Sequence, residues 1–110
     1  MTACVIGHRA LQGEGPSVIV SFRDRETERL WIDEGSRRLP PWIQAAALRK
    51  LRWLHRAVKL ADIAALRGNR LEMLTGNRRG QYSIRVNDQW RICFRWTERG
   101  AEDVEIVDYH

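Results

Sequence analysis

The sequence predicts an α+β domain: a twisted, mainly antiparallel sheet with helices packed on one face. Three observations carry this. Tyr82, Ile84 and Val86 fall on one side of an extended chain, opposite Gln81, Ser83 and Arg85. Ile92, Phe94 and Trp96 share a side opposite Arg91, Cys93 and Arg95. Such period-two alternation marks half-buried strands. Upstream, Ile43, Ala47, Leu51, Leu54 and Val58 recur at helical spacing and form one apolar stripe. A helix stripe and a meander each have one face to bury, and packing them together satisfies both.

At 110 residues the chain makes one domain with a single modest core. It shows no internal repeat, linker or low-complexity block. Residues 1–17 end in Gln-Gly-Glu-Gly-Pro-Ser and read as a flexible N-terminal extension, leaving 18–110 as the domain. A start codon upstream of an original one near Val18 would produce such an extension. An added strand or a partner-binding arm is the alternative.

The apolar run 18–22 reads as a first, inner strand. A helix follows over 24–34, with Asp24 as its cap and Gly35 as its stop. Pro40 and Pro41 open the longest helix, since proline is tolerated in a first turn, and it runs to about Ala57. Trp42 and Trp53 lie off its stripe. Capping the core edge is favoured over partner contact, because large aromatics are mostly buried. Arg49, Lys50 and Arg52 read as a solvated face or an RNA contact, and His55 as structural.

A short helix over 59–66 ends at Gly68, and 69–74 forms another strand. The turn 75–80 is rich in glycine and cations. Gly76 and Gly80 suit positive φ. Arg78 and Arg79 either grip phosphates or simply solvate the turn. Asn87-Asp88 makes a tight turn, Arg99-Gly100 another, and 103–107 the last strand. The opposite sheet face, carrying Arg85, Arg91 and Arg95, is expected to be concave, cationic and open.

Nineteen Lys and Arg against fourteen Asp and Glu give a formal charge of +5. That balance favours an anionic partner, nucleic acid first, without separating RNA from DNA or from an acidic protein. Arginine dominates, as bidentate phosphate contact requires, and as a GC-rich genome also produces. Cys4, Cys93, His8, His55 and His110 show no metal-ligand spacing. A cytoplasmic protein without metal or cofactor is expected, with no segment of the ~20 apolar residues that span a bilayer. The chain closes on Asp108-Tyr109-His110, an acid, a phenol and an imidazole. Beside arginines, such groups suit phosphodiester cleavage. A solvated tail is the plainer alternative.

The segment 68–110, GNRLEMLTGNRRGQYSIRVNDQWRICFRW…VEIVDYH, resembles the HigB branch of the RelE/ParE toxin superfamily, including GraT-like members. The likeness begins near VIVSFRDRETERLW and reaches the end of the chain. It implies a RelE/ParE-like sheet with two N-terminal helices on one face. It implies a type II toxin that cleaves mRNA on the ribosome by 2′-hydroxyl attack, near the decoding site. A HigA-like helix-turn-helix antitoxin would neutralise it, with operator DNA reached only through that partner.

By resemblance, Arg91 of the W-R-I strand steadies phosphate charge and His110 moves a proton. Tyr109 orients or stacks a nucleotide, and Asp108 holds the imidazole. Arg78, Arg79, Arg85 and Arg95 are the candidate RNA contacts. Some relatives have histidine at the position of Glu72 and lysine at that of Thr75, so Glu72 becomes the candidate base and the base is in doubt. The alternatives are a ParE-like toxin acting on a protein target without hydrolysis, or chiefly an antitoxin-binding module in operon autoregulation.

Overall fold

The computed structural model describes residues 18–32, 34–36 and 38–108. The sheet has five strands: β1 (Val18–Ile19), β2 (Glu72–Met73), β3 (Tyr82–Arg85), β4 (Trp90–Thr97) and β5 (Gly100–Asp108). Their order is β1-β5-β4-β3-β2. β2 to β5 form an antiparallel meander, and β1 joins β5 in parallel. Among the described residues three helices precede or separate the strands: α1 (Arg25–Trp31), α2 (Pro41–Arg56) and α3 (Leu60–Ala64). The expected α+β class holds. The expectations for residues 1–17, Tyr109 and His110 lie outside the described residues.

Local chemistry sets the helix ends. Pro40 caps α2 and Pro41 opens it, while His55 and Arg56 occupy its last turn, where cations complement the dipole. Asp24 holds the cap position of α1 but makes no cap bond. Its carboxylate instead accepts from Arg38 Nη2 at 2.8 Å. α1 ends at Trp31, earlier than the sequence suggested, and Gly35 follows at φ +73°.

Ile43, Ala47, Leu51 and Leu54 of α2 pack on Ile84, Ile92, Phe94, Val104 and Ile106 of the sheet. Ile84, Ile92 and Ile106 are cross-strand neighbours, so one row of the sheet faces the helix stripe. Tyr82 stacks on Phe94 with ring centroids 6.0 Å apart. Among the described residues no helix is long and apolar enough to cross a membrane.

Several expectations are corrected. β1 is an edge strand, not an inner one. Its apolar character reflects α2, which covers it: Ile19 is fully buried, and its N–H donates to His55 Nδ1 at 3.1 Å. The His55 ring also lies against Trp31, so this imidazole is structural, as expected. The strand read over 69–74 shrinks to two residues, because a 3-10 turn spans Arg67–Asn69 and Arg70 takes a left-handed φ of 46°. β5 starts at Gly100, and a bulge lets two of its residues, Asp103 and Val104, oppose the single Phe94 of β4. Asp103, at φ +53°, sits in that bulge, which bends and twists the pair.

Val58 is exposed because α2 has already ended. Trp42 is 76% exposed and does not cap the core edge, whereas Trp53 is half-buried. Lys50 is neither a solvated charge nor a free cation. It donates to Asn69 Oδ1 at 2.6 Å, and buried Asn69 donates to the Ile63 carbonyl at 3.0 Å. Burial, with Arg49 and Arg85 nearby, pushes the Lys50 pKa down.

Two substitutions separate these environments. Leu51→Ala, at a fully buried stripe position, should cost about 2–5 kcal/mol in urea unfolding. Trp42→Ala should change stability by less than about 0.5 kcal/mol, since its ring buries little.

Candidate nucleic-acid interface

The sheet face away from the helices is built by alternation. Ser83 and Arg85 point there from β3, opposite Cys93 and Arg91 of β4. Glu105 of β5 pairs with Cys93. Ser83 and Cys93 are fully buried and Gln81 nearly so, so this face is closed where the sequence suggested it would be open. The cover is a side-chain network. Arg78 Nη1 bonds Glu105 at 2.9 Å and donates to Gln81 Oε1 at 3.1 Å. Arg23 approaches the same Glu105 at 3.8 Å.

Arg91 is the most enclosed arginine of the face, with its side chain 11% exposed. Its Nε donates to Ser83 Oγ at 2.9 Å and its Nη2 to the Arg70 carbonyl at 2.8 Å. Glu72 Oε1 stands 3.6 Å from the same Nη2. The left-handed turn at Arg70 and the short β2 therefore exist next to, and brace, this guanidinium.

The other candidate residues spread around it. Arg85, directly across from Arg91, pairs with Asp88 of the β3–β4 turn. Arg95 Nε lies 3.4 Å from Asp103 in the bulge. Gly80, at φ +91°, passes so close to Arg95 that a Cβ there would meet its Nη1 at 3.0 Å. Gly76 is also at positive φ, so both glycine expectations hold. Arg79 is exposed, and the ion pairs found among the described residues do not include it. Asp108 lies opposite Trp90 and accepts from Gln89 Nε2 at 3.1 Å.

Arg78, Arg85, Arg91 and Arg95 each have a carboxylate partner. The expected uncompensated cationic cluster is thus corrected: the acids that relieve the repulsion come from β2, a turn, a bulge and β5. A cleft of about 410 Å³ adjoins this region, lined by Glu72, Met73, Leu74, Thr75 and Arg78. Among the described residues no group of three His, Cys, Asp or Glu side chains could hold a metal ion. Sequence reading missed Ser83, Gln81 and Glu105 as builders of the face. Pairing β4 and β5 across the turn at Gly100 would have set Glu105 beside Cys93, had the bulge been visible.

Burial pushes the Cys93 thiol up; Arg78 and Arg91 oppose that shift, and Glu105 adds to it. The unfolded chain therefore loses this proton first as pH rises. Stability from the buried neutral thiol is complete below the ordinary thiol range and declines above it. In a Cys4→Ser background, urea midpoints should fall with alkaline pH more steeply than in Cys4→Ser/Cys93→Ala. Glu105→Ala should cost about 1–3 kcal/mol in the same assay, because it strands Arg78 on a closed face.

A family description, HigB-like toxin, a RelE-like toxin of the type II toxin-antitoxin system HigB, matches residues 20–110. Toxin HigB-1 of Vibrio cholerae serotype O1 is 40% identical over 80 residues, which cover 72% of this chain and 84% of that protein. Two main N-terminal helices followed by an antiparallel meander agree with the RelE/ParE fold. By the span of that match, this chain belongs to the HigB-like family of RelE-type toxins from type II toxin-antitoxin systems.

Proposed function

We propose that the chain is an endoribonuclease that cleaves mRNA on the ribosome, through attack of a ribose 2′-hydroxyl on the neighbouring phosphorus. The observation that supports this best is Arg91. An enclosed guanidinium with two fixed acceptors cannot reorient when charge builds beside it. It is a preorganised donor for phosphate oxygens, and such donors lower a barrier because no reorganisation remains to be done.

The proton-transfer groups are assigned from the residues that follow β5. β5 brings Val107 opposite Arg91 and Asp108 opposite Trp90. His110 is assigned as the group that gives or takes a proton, with Tyr109 orienting the nucleotide and Asp108 the imidazole. Attack forms the bond from O2′ to phosphorus and breaks the bond to the departing 5′-oxygen. One proton leaves O2′ and one arrives on O5′. DNA, lacking O2′, is not a substrate. Arg79 is assigned to phosphate contact along the RNA, with Arg78, Arg85 and Arg95 after rearrangement of their carboxylates.

Ribosome dependence has its own support. A face whose arginines are matched by acids gains little from counterion release on free RNA, so affinity has to come from elsewhere. A ribosome that holds the message supplies position in place of affinity. Growth arrest in the cytoplasm, neutralisation by a HigA-like helix-turn-helix antitoxin and operator binding through that partner complete the reading.

Expression of the wild type beside Arg91→Ala and His110→Ala, with primer extension on translated and untranslated messages, tests it. Cuts should appear only in translated mRNA. Each variant should lose cleavage by about 100- to 1000-fold. Full arrest with intact messages would instead place the chain with toxins that act on a protein target.

A further inference from the structure

Glu72 stands where the reading above needs an anion. Its Oε1 lies 3.6 Å from Arg91 Nη2, and its side chain is 54% exposed against 11% for the arginine. The arginine also donates to a hydroxyl and to a backbone carbonyl, neither of which belongs to Glu72. The carboxylate sits on an edge strand of two residues and, among the described residues, makes one long ion pair. The same residue lines the neighbouring cleft of about 410 Å³, so its side chain has space to turn into. Exposed Met73 and the half-buried Arg78 line the same cleft.

We propose that Glu72 is a placeholder for the substrate phosphate: in the free protein its carboxylate occupies the anion position on Arg91 Nη2, and an arriving phosphodiester displaces it toward the cleft. This rests on the reading that Arg91 binds phosphate. A carboxylate and a phosphate cannot share one guanidinium edge without repulsion, so occupancy by one excludes the other. The ion pair keeps Arg91 neutralised between substrates. It raises the threshold for adventitious anions, while a message held by the ribosome competes at high local concentration. Glu72 is then a positioning and selectivity residue, and its charge opposes binding rather than assisting proton removal.

Inorganic phosphate is the direct probe, followed through the Arg91 side-chain Nε–H signal by NMR and assigned by its loss in Arg91→Lys. In Glu72→Gln the phosphate dissociation constant falls about two- to fivefold, the range set by one exposed ion pair. On programmed ribosomes the KM for mRNA falls by a similar factor, and kcat/KM rises. Glu72→Ala repeats the comparison, and thermal melts check that both variants fold. Equal phosphate binding in wild type and variants overturns the placeholder. So does a fall in kcat of about tenfold or more with KM unchanged, which marks a general base. If phosphate binding tightens as expected while wild-type protein leaves all mRNA intact, the placeholder stands and the endonuclease reading falls.

Discussion

The pairing of β4 with β5 fixes both faces of this protein at once. Ile92 opposite Ile106 belongs to the core row, and Cys93 opposite Glu105 belongs to the other face. A slip of one residue would send both sets to the wrong side. The bulge near Asp103 absorbs one extra residue of β5 and keeps the registers on either side of it correct. Because β5 also receives β1 and runs on to Asp108, the register decides where the chain's last residues start from. Core packing and the candidate site are thus consequences of one ladder.

That ladder places ionisable groups where charge has to be managed. Glu105 is only 13% exposed and sits between two arginines. An acid so enclosed is tolerable when its partners are fixed, and costly when one is removed. The loop 75–80 is pinned through Arg78, and Gly80 is forced to left-handed backbone beside Arg95. The basic turn is therefore part of the architecture of the face before it is anything else. Any anion bound by Arg78 would have to compete with Glu105. Arg79, which carries no such tie among the ion pairs found, has no trade to make.

Much of this was legible in the residues. Period-two alternation located β3 and β4, and the helical stripe located α2 with its proline start. Both signals are dense and local. Arg91 was legible as the arginine of a polar strand face. What escaped depends on contacts distant in sequence. Ile19 looks like a central strand residue because α2 buries it, and burial has the same sequence signature whether a helix or a strand supplies it. Val58 continues the stripe in register but lies past the point where the chain leaves the helix. Ser83 and Cys93 are small and polar or nearly so, and alternation assigns them to solvent. Their burial goes with long side chains from elsewhere: Arg91 donates to Ser83, and Arg78, Glu105 and Arg91 surround Cys93.

Arg91 and Glu72 show how little chain is needed to make such a site. The turn that ends in left-handed Arg70 presents a carbonyl to the guanidinium, and two residues later the same segment presents a carboxylate. The carbonyl belongs to backbone locked by the 3-10 turn at Arg67–Asn69, which Asn69 ties to Ile63 and to Lys50. The carboxylate ends a flexible side chain on a sheet edge. One segment therefore supplies a short backbone contact and a longer side-chain contact to the same guanidinium. A histidine at position 72 would change the second and leave in place the Arg70 carbonyl and the Ser83 hydroxyl that accept from Arg91. The position can exchange one chemistry for another while these two contacts of Arg91 are kept.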